Sequence, residues 1–325
     1  MVDSFETIAN SIMSSRQDII SLTEQDYDAS PIVVISQQNV TLKKTITIEK
    51  SSLNANYHYW GEAGITWGQG GLVWASDSTT FSSYATNQSL ISTGYNTYGI
   101  NTFIASTSGL FTYLAYGTGT VADNATALGT EIGRVLTPTI FTGPNYFELQ
   151  FTIDETTSNG HTLTEYGLAQ GAVGNIYSTV NYAMIEKTAL IFILTSLKTN
   201  FLNFGDTTWS GMRLNDGGVT KIVDVIYDDM VYLRIGDAST TYDEDLGTVA
   251  STLGTLTYST LTKDATSYTR VFLINPLLYS TKTLTSIFDS VLSTGSNVSS
   301  YEPITGILKT LSDRYKITIK TDVIR

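Results

Sequence analysis

Cysteine is absent from this chain of 325 residues, so disulfides and thiolate metal sites are excluded and stability has to come from packing or association. Histidine is nearly absent. His58 and His161 stand alone, without a second histidine or a His-Glu-x-x-His spacing beside them, so the zinc-protease pattern is missing. Basic residues are scarce: 18 Lys plus Arg face 30 Asp plus Glu, a net charge of -12, and no dense basic patch exists for nucleic-acid phosphates. No apolar run approaches the roughly 18 residues that a membrane-crossing helix needs. The best stretch, residues 189–197, is far too short. The first twenty residues lack the apolar centre of an export signal, so none is expected to act there. Gly-x-Ser-x-Gly does not occur, and Gly117-Thr-Gly119-Thr lacks the Lys-Ser/Thr ending of a phosphate loop.

Charged residues make up only 15%, against roughly 25% in an ordinary soluble domain. Ser, Thr, Asn, Gln and Tyr take their place. Such a surface can be covered in long interfaces without desolvating ions. At 42% apolar the chain can build a full core, and its length allows two or three domains.

A run recurs along the chain. Tyr113-Leu-Ala-Tyr-Gly-Thr-Gly-Thr has a later counterpart in Tyr232-Leu-Arg-Ile-Gly-Asp-Ala-Ser. Each is followed by Leu-Gly-Thr, at Leu128 and Leu246, and later by a Lys-Thr pair, at Lys187 and Lys309. Repetition of this size points to a duplicated building block.

Periodicity predicts the elements. Phe5, Ile8, Ile12, Met13, Ile19 and Ile20 fall near a 3.6 period and predict a helix over residues 4–22. From Pro31 the pattern is extended, and the paired Lys43 and Lys44 read as a turn or an exposed strand edge. Phe147, Leu149, Phe151 and Ile153 alternate with polar residues as a half-buried strand, and Asn159-Gly160 signals a hairpin-type turn that leaves His161 exposed. Residues 190–197 read as a central strand, residues 219–232 as two strands, and residues 270–274 and 315–320 as further strands. The predicted fold is mainly β: tandem antiparallel β-sandwich-like modules with an N-terminal helix and arm. The expected divisions are the helix and extended arm at 1–50, an aromatic and glycine-rich β region at 51–108, a first β module at 109–204 and a diverged second at 215–325.

Three groups of residues are candidates for function. Tyr57, Tyr59, Trp60, Trp67 and Trp74 are interleaved with glycines. They read either as a glycan or receptor platform or as aromatic packing at a subunit contact. Asp237, Asp243, Glu244 and Asp245 offer oxygen ligands for a hard cation but lack the regular calcium-loop spacing, which leaves a solvated acidic loop as the plainer reading. The adjacent pairs Asp154-Glu155 and Asp228-Asp229 point apart in an extended chain and make no glycosidase dyad. The sequons at Asn39 and Asn124 matter only in a secreted protein.

The first module also resembles a domain of tail proteins from tailed viruses. The resemblance rests on Tyr113 to Gly117-Thr-Gly119-Thr, Leu128-Gly-Thr-Glu131-Ile-Gly-Arg134, the alternating 147–153 strand, Asn159-Gly160, Glu165-Tyr-Gly167-Leu168, and Lys187-Thr188 before the apolar strand. It covers about ninety residues and reaches the second module only in outline. It implies a non-enzymatic structural component of a virion tail, in a fibre, baseplate or collar, assembled in the host cytoplasm and needing no cofactor. Its partners would be copies of itself and other tail proteins, with no nucleic acid and no membrane span. Gly117, Gly119, Glu131, Arg134, Glu165 and Gly167 would then hold the module together. The alternatives are a receptor- or glycan-binding tail-tip module, which adds a host surface receptor as partner, and a capsid protein.

Overall fold

The computed structural model describes residues 30–53, 57–58, 73–74, 81–92, 94–136, 139–205 and 211–325, with the pairs 57–58 and 73–74 given by backbone alone. The helix predicted over 4–22 lies outside them. Within them the chain is mainly β, with two helices.

Strand β1 (Ser30–Ser52) is 23 residues long and organises the rest. Its even-numbered side chains, Val34, Ser36, Gln38, Val40, Leu42, Lys44, Ile46 and Ile48, all point inward and are buried, as a period of two requires. Residues 30–50, expected as an arm, are therefore extended but lie in the middle of a sheet. Lys44 is buried in mid-strand and marks neither a turn nor an edge.

After β2 (Ala85–Ile91), which pairs with β1, comes α1 (Thr97–Thr107). Seven strands follow: β3 (Tyr113–Gly117), β4 (Glu131–Leu136), β5 (Thr139–Gly143), β6 (Tyr146–Ile153), β7 (His161–Ala169), β8 (Ile176–Lys187) and β9 (Ile191–Asn203). Then α2 (Asp216–Ile226) opens a second series: β10 (Tyr232–Gly236), β11 (Gly254–Thr257), β12 (Thr260–Lys263), β13 (Ser267–Ile274), β14 (Thr283–Ser290), β15 (Ser300–Leu308) and β16 (Asp313–Ile324).

The two series trace one topology. Strand β3 pairs with β4 and β7, and β7 with β8; likewise β10 pairs with β11 and β14, and β14 with β15. These form two small sheets. The remaining strands meet in one large sheet of order β12-β13-β16-β1-β9-β6-β5. Each small sheet stacks on its half of the large one. Leu114, Leu163, Tyr166 and Leu168 face Phe147, Leu149, Phe151, Ile193 and Leu197 across the first core, where both helices also pack. Leu233, Ile235, Leu284 and Ile287 face Phe272, Ile274, Ile317 and Ile319 across the second.

Within the large sheet and the two small ones, pairing is antiparallel except along β1 and β9, which run parallel. The exception follows from the repeat. Thr41 pairs with Leu202 of β9 on one side and with Ile324 of β16 on the other, which are equivalent residues of the two modules. A single strand crossing between two copies related by a two-fold turn has to run parallel to one and antiparallel to the other.

Two expected strand regions are helices. Asn215 caps α2 by accepting from Gly218 N at 2.8 Å, and Val219, Ile222, Val223 and Ile226 form its buried face. Asn96 caps α1 through Gly99 N at 3.0 Å, with Ile100, Phe103, Ile104 and Thr107 buried. The β-branched content of 219–226 argues for strand, but the Asn cap and the three-and-four spacing of its apolar residues carry the opposite signal.

Asn159-Gly160 is not a hairpin. Residues 154–160 cross from β6 in the large sheet to β7 in the small one. Ser158 and Gly160 adopt φ 56° and 83° there, and Gly160 N donates to Lys187 O at 2.8 Å. The second module repeats the crossing with Tyr279 and Thr281 at φ 56° and 68°, and Thr281 N donates to Lys309 O at 2.7 Å. A β-branched residue in the left-handed region costs about 1–2 kcal/mol. Part of that is offset because glycine orders less readily from the unfolded chain. Thr281→Gly is expected to raise stability by about 0.5–1 kcal/mol in urea melts; a loss of that size would mean the threonine contributes a contact that outweighs its strain.

Candidate functional site

Glu165 holds the first module's loops together. It sits on β7, fully buried, with its carboxylate between two glycine-containing turns. Oε1 accepts from Gly119 N at 3.1 Å and Thr130 N at 2.7 Å, and Oε2 from Gly129 N at 2.8 Å. Three backbone donors thus converge on one carboxylate and join the two turns. The glycines are required by approach. A Cβ at Gly117 would lie 2.3 Å from Thr130 O and 2.6 Å from Glu165 Oε1, and one at Gly119 would lie 2.8 Å from Thr130 N. At Gly167 it would meet Ile176 Cγ2 at 2.5 Å.

Arg134, on β4, bonds Glu131 through Nε at 2.8 Å and through Nη2 at 3.0 Å. It also donates to Gly171 O at 2.9 Å and Gly174 O at 2.7 Å, which ties down the β7–β8 loop. Gly117, Gly119, Glu131, Arg134, Glu165 and Gly167 thus fall into one connected scaffold, and the acidic groups face backbone or guanidinium.

The second module reaches the same ends with other residues. Ser286 occupies the place of Glu165, 2.2 Å from where a Cβ on Gly236 would stand. Arg234 donates to Leu292 O and Thr294 O at 3.0 Å each, and to Gly295 O, tying down the β14–β15 loop. It stands in the register position of Ala115, whose cross-strand partner is Arg134. The guanidinium has moved over by one strand. Lys187 and Lys309 are matched directly: Lys187 Nζ donates to Glu155 O, Asn159 Oδ1 and Thr188 O, and Lys309 Nζ to Pro276 O and Thr310 O. Burial pushes the Lys309 ammonium down to about 8 and moves Lys187 in the same direction. The two Leu-Gly-Thr strings are not equivalent. Val298 N bonds Gly247 O just as Ile176 N bonds Thr126 O, so Leu246-Gly247 matches Ala125-Thr126 rather than Leu128-Gly129.

Four charges that no sequence pattern announced meet between β1 and the second module. Lys44 Nζ lies 3.2 Å from both Asp289 Oδ2 and Glu302 Oε1, and Arg270 Nη2 lies 3.3 Å from Asp289 Oδ1. Ser300 accepts from Lys44, Ser92 donates to Glu302, and the Tyr95 ring lies 4.9 Å from the Lys44 ammonium. Register places Gln38, Leu149, Leu168 and Val180 at the corresponding points of the first module. There Gln38 bonds Thr199 and Ser178 in place of the ionic contacts.

Each helix cap leans on the other module: Asn96 N bonds Ser299 O, and Asn215 N bonds Tyr177 O. Beside each contact lies a cleft. One, of about 350 Å³, is lined by Gly94, Tyr95, Asn96, Asn203, Tyr242, Glu244, Tyr301 and Pro303. Its counterpart, of about 170 Å³, is lined by Val121, Ala122, Asp123, Asn181 and Arg213 among others.

The remaining candidates are placed as follows. Tyr59, Trp60 and Trp67 lie outside the described residues, as do the side chains of Tyr57 and Trp74, whose backbones join a short parallel pair of residues 57–58 and 73–74. In the acidic loop, Asp237 accepts from Ser239 N and Oγ, and Asp243 from Leu246 N, so both brace local turns. Among the described residues no three His, Cys, Asp or Glu side chains are grouped to hold a metal ion. His161 is exposed at the start of β7. Burial pushes the Asp229 carboxyl up to about 6, against a 2.9 Å hydrogen bond from Ser106 and with help from Asp228. Asn39 lies within β1, and Asn124 accepts from Asp216 N at 2.7 Å. No helix among the described residues is long and apolar enough to cross a membrane.

No family model, curated protein or solved structure matches the chain.

Proposed function

We propose that this chain is a non-enzymatic structural subunit of a virion tail, in a fibre, baseplate or collar, and that it works as copies assembled side by side. The observation that carries the proposal is the use made of Glu165, Glu131 and Arg134. These are the residues of the tail-protein resemblance, and their polar groups all bind backbone or each other. A chain whose distinctive charged residues brace its own loops is built to hold shape. The large sheet supplies a means of association, since among the described residues β5 and β12 are the end strands of its main path. Strand β5 carries no charge, and Ile140 and Phe141 on it are 44% and 43% exposed, next to Leu136 at 60%. Natural sheets normally guard such edges with charge or cover.

The test is the mass of the purified chain by sedimentation and native mass spectrometry across a range of concentrations. Defined oligomers are expected, and Phe141→Lys should shift them toward monomer without lowering the melting temperature. A strict monomer at high concentration, or oligomers indifferent to Phe141→Lys, would overturn association through this edge.

A further inference from the structure

The two junction clefts are built on one framework but are lined differently. The equivalences come from shared hydrogen bonds: Asn96 and Asn215 cap the helices, and Ser299 and Tyr177 receive their backbone N–H groups. On that frame Tyr242 stands for Val121, Tyr301 for Thr179, Glu244 for Asp123, and Gly94 for Arg213. One cleft has thus gained two aromatic rings and lost a cation, and it has about twice the volume of the other.

The larger cleft is preorganised. Asn203 accepts from Tyr95 N at 2.8 Å and donates to Tyr95 O at 2.9 Å, and it fills the space where any side chain at Gly94 would stand, so Gly94, at φ 107°, admits it. Tyr242 and Tyr301 are stacked, with ring centroids 4.7 Å apart and planes at 24°. Asn96 is engaged on both sides of its amide: Oδ1 accepts from Gly99 N, while Nδ2 donates to Tyr242 Oη and Val298 O. Both side-chain amides are therefore engaged through oxygen and nitrogen alike. What the cleft still offers is aromatic surface and the exposed Glu244 carboxylate, on a loop that also carries Asp243 and Asp245.

We infer that this cleft binds an organic cation carrying a guanidinium group. A guanidinium is planar and weakly hydrated, stacks on tyrosine faces and pairs with a carboxylate. A neutral polar ligand would instead need amide groups that are engaged: Asn96 Nδ2 donates twice, and Asn203 is bonded through both its oxygen and its nitrogen to Tyr95. In the sister cleft Arg213 pairs with Asp123 at 3.5 Å, so the carboxylate there already has its cation. This inference goes beyond the assembly proposal and does not depend on it.

Saturation-transfer NMR on the full chain tests it with three probes: N-acetyl-arginine amide, which mimics a side chain of another protein, agmatine as a free small molecule, and N-acetyl-citrulline amide as the neutral isostere. Transfer to at least one guanidinium probe and not to citrulline is expected, and which of the two binds tells a partner's arginine from a free amine. Glu244→Gln should weaken binding by about tenfold, within the range of a cation held by an aromatic ring and a carboxylate. Tyr242→Val with Tyr301→Thr should abolish it, and the fold tolerates those residues at the equivalent positions of the sister cleft. Equal transfer to citrulline, no transfer to any probe, or transfer unchanged in Glu244→Gln would overturn the inference. Glu244 is exposed, so that variant remains informative if the tyrosine pair fails to fold.

Discussion

Replacing Glu165 with alanine is expected to remove about 3–5 kcal/mol of stability, because three hydrogen bonds worth about 1–1.5 kcal/mol each are lost at once. Whole domains are stable by only about 5–15 kcal/mol, so the variant should be marginal. Glutamine discriminates further. It keeps one oxygen, able to serve Gly119 N and Thr130 N together, but turns an NH2 toward Gly129 N, which Oε2 now accepts at 2.8 Å. Glu165→Gln should therefore cost about 2 kcal/mol, one unmet donor plus a facing like dipole. The check is urea unfolding of the three proteins, with hydrogen exchange at Gly119, Gly129 and Thr130. Exchange at those amides should rise well before global unfolding in the glutamine variant. A loss below 1 kcal/mol for alanine would show that water replaces the carboxylate at little cost, and the loops would not depend on it.

Strands were legible in the sequence wherever one face is buried and the other wet. Residues 147–153 and 315–320 alternate because they line the two cores from the large sheet, so a period of two is imposed on them. The helices were not read, since both are short and rich in β-branched or small residues, and their signal lies in single asparagine caps. The place of β1 was hidden for another reason. A strand that joins two modules is specified by contacts with residues far along the chain, and its one inward charge, Lys44, looks from local sequence like an edge guard. Of the scaffold, the repeated Tyr-Leu run and the Lys-Thr pairs were visible as strings. The exchange of Arg134 for Arg234 was not, because register across strands, unlike position along the chain, decides which residues do the same work. The buried charges fell in the same blind spot: Arg270, Asp289 and Glu302 sit on three strands, and nothing in their neighbours distinguishes them from solvated ones.

The first module provides a built-in control for those charges. Lys44→Gln alone is expected to cost about 3–5 kcal/mol, since it leaves Glu302 buried without its cation and Asp289 with Arg270 only. The fourfold variant Lys44→Gln, Arg270→Leu, Asp289→Leu and Glu302→Val copies the residues found at the equivalent places, Gln38, Leu149, Leu168 and Val180. It should recover to within about 1 kcal/mol of the parent, as expected when a buried ion network is exchanged whole for apolar packing. The glutamine would meet Ser300 and Thr321, matching the partners Ser178 and Thr199 that Gln38 bonds in the first module. Acid should separate the proteins too. Burial alone would raise the Asp289 carboxyl, but Arg270 and Lys44 outweigh it and hold the group below the usual carboxylate range. A depressed folded value stabilises the protein above the unfolded value, about 3.9, and that contribution is lost as pH falls through the folded one. The parent should thus weaken steeply below about pH 4, and the fourfold variant should weaken less over the same window. Urea midpoints at pH 7 and between pH 2 and 5 provide the measurement. If the fourfold variant is as unstable as Lys44→Gln, the two halves are not interchangeable in their cores, and the charges are needed for the second module to fold.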